Sequence, residues 1–267
     1  MSDWKPRLIA SDMDGTLLRS DDTVSDATVA ELGRWRDAGV PFVLATGRPP
    51  RWMHRIREVL GFGTAVCCNG SVLLDLEPME IVDEAPLAPD ALQAITAELR
   101  ARQPTTWFAV EYGWQFRHEP VYRPRWDVDA PGVAVATLEE MTATPAAKLL
   151  ARHGSMEPDA FVELIESVVG DRATVTHSST DALAEISAPG VTKATGLATV
   201  AARHGIGPGD VVVFGDMPND IAAFEWVRAA GGRAVAMAHA HPDLMAVATD
   251  VTGTNDDDGV AAFLASL

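Results

Sequence analysis

Cysteine is nearly absent from this 267-residue chain: there are two, Cys67 and Cys68, and they are adjacent. Neighbours in sequence are poorly placed for an ordinary disulfide, so a disulfide framework is excluded. The pair sits in an apolar run and is expected to pack as small hydrophobes. Basic residues are also scarce, 21 Lys and Arg against 38 Asp and Glu, for a net charge of −17. That argues against nucleic acid as a partner, since phosphate backbones need a basic face. It also means that the overall field repels a phosphorylated small molecule, so any phosphate pocket must be built locally from a few cations. No apolar run approaches the roughly 18 residues of a membrane span. The N-terminus lacks a basic stretch followed by an apolar one, so no signal peptide is read and a cytoplasmic location is expected. Repeats and low-complexity segments are lacking too.

What is present is an ordinary globular composition, 47% apolar and 22% charged, of a length that suits one or two domains. The chain is organised around Arg7 to Leu18. Leu8 to Ala10 form a short apolar run, followed by Asp12, Asp14, Gly15 and Thr16. A buried parallel strand reads as a continuous apolar run, and charges at its end fall on the carboxyl edge of the sheet, where open α/β folds place ligands. In an extended chain the spacing would send Asp12 and Asp14 to the same side. Two converging carboxylates repel unless a cation lies between them or one is protonated. Either outcome suits phosphoryl chemistry, through a hard Mg²⁺ or through a carboxylic acid.

The same pattern recurs along the chain. Ser25 is placed to cap a helix running to about Ala38 and closed by Gly39. Val40 to Ala45 is a second strand, ending in Thr46-Gly47-Arg48-Pro49-Pro50, where prolines favour a helix start. Thr46 can donate to a phosphate oxygen at that helix N-terminus or simply cap it. Thr64 to Cys68 is a third strand, Asn69-Gly70 a turn, and 71–75 with 80–83 a hairpin. Val211 to Phe214 is the clearest strand, and it too ends in acids, Gly215-Asp216-Met217-Pro218-Asn219-Asp220, before a helical spacing. Lys193 falls near the start of a helix closed by Gly205, where a cation is disfavoured unless an anion is nearby. His239 and His241 lack further ligands nearby and are read as loop. The acidic run Asp256 to Asp258 lacks the spacing of a calcium loop and is expected to start the last helix.

Between about Ala85 and Ala184 aromatics and prolines concentrate. Helices are expected at Pro89 to Arg102 and Pro158 to Val169, and strands at Thr106 to Tyr112, Ala146 to Arg152 and Ala173 to His177. Two helices on a small sheet make an α+β module. The stretch from Gly113 to Asp129 is expected as a loop, with the cations Arg117, His118, Arg123 and Arg125 either facing the site or solvated.

Taken together, Asp-Met-Asp-Gly-Thr at 12–16, Leu-Ala-Thr-Gly-Arg at 44–48, Gly-Val-Thr-Lys at 190–193 and Gly-Asp-x-x-Asn-Asp at 215–220 resemble the four motifs of the haloacid dehalogenase-like phosphatases. Cys-Asn-Gly-Ser-Val-Leu-Leu-Asp at 68–75 and Asn-Asp-Asp-Asp-Gly-Val-Ala at 255–261 are similar to segments of the Cof-type branch, class IIB. Alanines and Phe224 after the fourth motif depart from many relatives, which concerns packing rather than chemistry.

The resemblance implies a doubly wound parallel α/β core built from residues 1–84 and 185–267, with an inserted α+β cap at 85–184. It implies a Mg²⁺-dependent phosphatase acting on a small phosphorylated metabolite, such as a sugar phosphate, through an aspartyl phosphate. Asp12 would be the nucleophile and Asp14 the general acid and base. Mg²⁺ would be held by Asp12, Asp216 and the Asp14 backbone carbonyl, with Asp220 holding metal-bound water. Thr46 and Lys193 would bind the phosphoryl oxygens, with Gly47, Arg48, Asn69 and Asn219 alongside. An acid at position 14 argues against dehalogenation, because a halide leaves without a proton. A phosphomutase or phosphotransferase, or a non-catalytic phosphometabolite-binding protein, are the alternatives. The oligomeric expectation is monomer or homodimer.

Overall fold

In the computed structural model, which describes residues 4–122, 124, 130–176 and 182–267, Leu8, Ile9 and Ala10 are all fully buried. Alternation sends Ile9 into one apolar cluster and Leu8 and Ala10 into another, on opposite faces of a sheet. A strand covered on both faces can afford no polar position until its end, which is why the acids wait until residue 12.

In chain order the elements begin with β1 (Leu8–Ser11), α1 (Asp26–Asp37), β2 (Phe42–Ala45), α2 (His54–Leu60), β3 (Thr64–Cys67), β4 (Val72–Asp75) and β5 (Glu80–Glu84). Then follow α3 (Pro89–Arg102), β6 (Trp107–Tyr112), β7 (Gln115–His118), β8 (Val133–Val135), α4 (Leu138–Thr142), β9 (Lys148–Arg152), α5 (Pro158–Val169), β10 (Thr174–Thr176) and β11 (Leu183–Ser187). The chain finishes with α6 (Lys193–Arg203), β12 (Val211–Gly215), α7 (Ile221–Arg228), β13 (Arg233–Ala236), α8 (Pro242–Met245), β14 (Asp250–Val251) and α9 (Gly259–Ala265).

The first sheet runs β14-β13-β12-β1-β2-β3-β4-β5. It is parallel from β14 to β3, and its last two strands are an antiparallel hairpin. Leu32, Trp35, Ile56 and Leu264 cover one face from α1, α2 and α9, while Leu197, Val200, Phe224 and Val227 cover the other from α6 and α7. This is the doubly wound architecture expected from the alternating strands and helices. Ser25 caps α1 by accepting from the Thr28 N–H at 3.0 Å, as its position before the apolar spacing predicts. Cys67, the last residue of β3, and Cys68, in the turn after it, are fully buried, and burial pushes the Cys68 thiol up to about 12. Both pack as core.

The second sheet runs β10-β11-β9-β6-β7-β8, with α3 and α5 packed on one face around Leu92, Leu99, Phe108, Phe161 and Ile165. Two sequence expectations change here. The stretch from Gly113 is not loop throughout: Gly113 takes a left-handed φ of 62°, turning the chain so that Gln115–His118 returns as β7. Arg117 is spent on the carbonyls of Phe116 and Gly132 and on Gln115. His118 is buried against the Glu119 carbonyl. Arg123 and Arg125 lie outside the described residues, as does His177 at the end of the strand expected there. The second change concerns Leu-Ala-Glu-Ile-Ser, which is β11, paired with β9 and β10. The second sheet therefore runs to Ser187, past the boundary at 184. β8 and α4 are not legible by periodicity, because each is too short to show a period; α4 is instead marked by a capping box between Thr137 and Glu140.

Candidate active site

β1 and β12 lie side by side in register, Leu8 opposite Val211 through Ser11 opposite Phe214. From β12 the sheet continues to β13, and from β1 to β2. The strand order reverses between these two, which leaves a crevice at their carboxyl ends. Asp12 and Asp216 each follow the last or nearly last residue of those strands, so the register itself brings them together. The Asp12 N–H donates to the Phe214 carbonyl at 2.9 Å and ties the two ends.

After Asp12 the chain does not stay extended. It turns through Met13–Leu17, with Gly15 at a φ of 72° and packed so closely that a Cβ there would collide with the Asp216 carboxylate. Thr16 then reaches the same carboxylate, donating to Asp216 Oδ1 at 3.0 Å. Asp220 folds back from the start of α7, where its Oδ2 accepts from the N–H groups of Asp216 and Met217 at 3.2 Å. Lys193 is the first residue of α6, behind a Thr192 capping box. Its Nζ donates to Asp12 Oδ1 and to Asp220 Oδ1, each at 2.7 Å. Lys193 is 1% exposed. The helix N-terminus disfavours a cation, and two carboxylates override it.

Asp12, Asp216 and Asp220 are all buried, and one oxygen from each lies within 4.8 Å of the others. Burial, opposed by the Lys193 ammonium and reinforced by Asp220 and Asp216, holds Asp12 well above the usual carboxylate range. Burial, with Asp220 adding to it, raises Asp216, against the Thr16 hydrogen bond. Burial also disfavours the Lys193 ammonium, but Asp12 and Asp220 outweigh it and keep the group charged. Three carboxylates around one ammonium leave an excess of buried negative charge. Their donor atoms are all hard oxygens, the set that suits Mg²⁺, so these residues fit that ion.

The convergence of Asp12 with Asp14 is not observed. The chain leaves the extended conformation directly after Asp12, in the turn that begins at Met13, so Asp14 points outward and its carboxylate pairs with Arg48, whose Nε lies 2.9 and 3.1 Å from the two oxygens. The Asp14 side chain is 53% exposed and stands outside the acidic triad. Thr46 is fully buried, and its hydroxyl accepts from the Arg48 N–H at 3.0 Å. Gly47 packs against Asn69, whose amide donates to Glu185 and accepts from Asn219. The Asn219 carbonyl oxygen is buried without a partner among the described residues.

Two neighbours of the site had no separate signal in the sequence. Thr16 lay inside the first motif, but only the fold aims its hydroxyl at Asp216. His239, read as loop, stands at the rim, with Nε2 2.9 Å from the Gly15 carbonyl and 4.0 Å from Asp216 Oδ2. His241 instead caps α8, accepting from the Asp243 N–H. Of the acidic run, Asp256 binds Ser20 and Asp258 binds Arg19, which fastens the loop after the Gly15 turn.

Residues 9–264 match the family model of the haloacid dehalogenase-like hydrolases. The pyridoxal phosphate phosphatase YbhA of Escherichia coli is 29% identical, with 97% of this chain and 98% of that protein covered. The 5-amino-6-(5-phospho-D-ribitylamino)uracil phosphatase YcsE of Bacillus subtilis is 28% identical, with 96% and 93% covered. The subclass IIB sugar phosphatase BT4131 shares the fold at a TM-score of 0.79 and 18% identity, over 97% of this chain and 98% of that one. The chain belongs to the haloacid dehalogenase-like hydrolases.

Proposed function

We propose that this protein is a Mg²⁺-dependent phosphatase that releases phosphate from a small phosphorylated metabolite by way of a phosphoaspartate on Asp12. The buried cluster of Asp12, Asp216, Asp220 and Lys193 at the carboxyl ends of β1 and β12 carries this reading. The net charge of −17 would repel an anionic substrate, and here the Lys193 ammonium, together with a Mg²⁺ that the carboxylates would hold, would offset that repulsion locally.

Asp12 attacks phosphorus, breaking its bond to the leaving oxygen and forming an acyl phosphate. Water then attacks the same phosphorus and returns Asp12 to its free carboxylate. Lys193 and the Thr46 hydroxyl hold the transferring oxygens, and Asn219 and Asn69 orient them from the side. Asp14 supplies the proton to the leaving alcohol and takes one from water, which requires its carboxylate to leave Arg48 and turn inward. Asp12 and Asp216 carboxylates with the Asp14 backbone carbonyl would hold Mg²⁺, and Asp220 would hold a water on it. Bound there, the ion neutralises charge on the phosphoryl group. The core from both chain ends and the inserted second sheet act as catalytic domain and cap. The crossings lie after β5 and after β11.

A panel of phosphomonoesters tests this, with sugar phosphates and pyridoxal 5′-phosphate included because relatives act on such compounds. Phosphate release is expected with Mg²⁺ and is expected to stop on chelation. In ¹⁸O-labelled water, released phosphate is expected to carry one label; transfer to a second alcohol without label would instead identify a phosphotransferase.

Gly15→Ala probes the metal-holding residues. With no room beside Asp216, the substitution should raise the Mg²⁺ needed for half-maximal rate by about 10–100-fold, as loss of support around a metal ligand does. A Mg²⁺ titration reads it directly, and an unchanged midpoint would count against Asp216 as a ligand.

A further inference from the structure

The second sheet presents one face to α3 and α5 and the other toward the first sheet. Val110, Leu149, Ala184 and Ile186 belong to the helix-covered cluster. Alternation therefore sends Glu111, Lys148 and Glu185 to the opposite face, and all three are buried. Their partners lie across the gap, on loops of the candidate site. Lys148 Nζ donates to the Gly47 carbonyl at 2.8 Å and also pairs with Glu185. Glu185 Oε2 accepts from Asn69 Nδ2 at 2.9 Å, and Asn69 Oδ1 accepts from Asn219 Nδ2 at 3.3 Å. Glu111 pairs with Arg51.

Two independent features show that these loops need holding. Cys68 and Asn69 have φ of 50° and 55°, a left-handed pair that persists only where the surroundings over-determine it. The Thr46–Arg48 segment is stitched to the same place, with Asn69 N–H on the Thr46 carbonyl and Cys68 N–H on the Arg48 carbonyl, both at 3.0 Å. At Gly47 a Cβ would stand 3.2 Å from Asn69 Oδ1 and 3.7 Å from Glu185 Oε2. A buried ion pair adds little net stability, because desolvation cancels much of its Coulomb attraction. What it does supply is a fixed position.

We propose that Lys148 and Glu185 are positioning residues for the hydrolysis. Lys148 holds the Thr46–Arg48 loop in shape through the Gly47 carbonyl. Glu185 holds the Asn69 amide and, through it, Asn219. Neither needs to touch the reacting atoms. The effect on rate rests on the phosphatase reading, whereas the holding of the loop does not.

The test uses the full chain with Lys148→Met and, separately, the double substitution Lys148→Met/Glu185→Gln. The double variant removes both charges of the Lys148–Glu185 pair and keeps an acceptor for Asn69, so it stays informative where the single variant fails to fold. Amide hydrogen exchange is followed in the peptide spanning residues 45–53, beside peptides of β1 and β12. Steady-state rates are measured on p-nitrophenyl phosphate with Mg²⁺. Exchange in 45–53 should quicken by about tenfold while β1 and β12 stay protected. The kcat should fall by roughly 10–100-fold with KM changed less than about threefold, as expected when reacting groups are misplaced rather than removed. Unchanged exchange in 45–53 would overturn the proposal, as would a wild-type kcat in the double variant. A wild-type enzyme inactive on every phosphomonoester would defeat the phosphatase reading alone, and the exchange data would still decide whether the loop is held.

Discussion

Asp12→Asn is expected to leave the protein folded and to cut phosphate release by roughly 10⁴-fold or more, the scale seen when a nucleophile is removed from a catalytic unit. An amide cannot form the acyl phosphate, while its carbonyl oxygen still accepts the hydrogen bond that Lys193 gives to Asp12. Nothing of comparable volume is lost from the buried cluster. One of three neighbouring carboxylates is lost, which relieves repulsion that burial makes expensive. The melting temperature without Mg²⁺ should therefore equal or exceed that of the wild type. Phosphate release and thermal unfolding on the same preparation check both halves. A folded variant that kept more than about a hundredth of the wild-type rate would falsify the assignment of Asp12 as nucleophile.

Lys193→Met should behave in the opposite way, damaging stability as well as rate. Methionine matches the length of the lysine stem but leaves Asp12, Asp216 and Asp220 buried with no cation among them. Breaking a buried pair from one side costs about 3–5 kcal/mol, which for a chain of this size lowers the melting temperature by roughly 6–20 °C. The rate should fall by about 10²–10³-fold, the cost of losing one preorganised charge partner of the transferring group. Mg²⁺ should recover more stability in this variant than in the wild type, because the excess negative charge that it meets is larger. Thermal melts with and without the ion, paired with kcat, separate the two variants. A melting temperature unaffected by Lys193→Met would mean that the three carboxylates do not depend on this ammonium.

The elements that position the site were legible because their signal is local. Leu8 to Ala10 and Val211 to Phe214 are apolar without a break, which only a doubly covered strand requires, and the acids after each run mark where cover ends. Ser25 before the helical spacing of Leu32 and Trp35 is equally local. The Gln115–His118 strand was not legible, since Arg117 and His118 suggest a loop until Gly113 is seen to turn the chain back against β6. Nor was the allegiance of β11 legible: Leu-Ala-Glu-Ile-Ser alternates well enough for either sheet, and pairing with β9 decides it.

By itself the sequence determined the doubly wound core, the family, and the residue types gathered near the ends of β1, β2, β3 and β12, because strand ends and helix starts are written in runs of neighbouring residues. Only tertiary structure decided which carboxylates meet. Asp12 joins Asp216 and Asp220, some 200 positions away, whereas Asp14, two residues on, turns out to Arg48. Spacing along a chain governs direction only while the backbone stays regular, and in the turn that begins at Met13 it does not. Likewise no local pattern distinguishes a buried lysine that grips a distant carbonyl, as Lys148 grips Gly47, from one on the surface, because its partner is brought to it by the packing of one sheet over another.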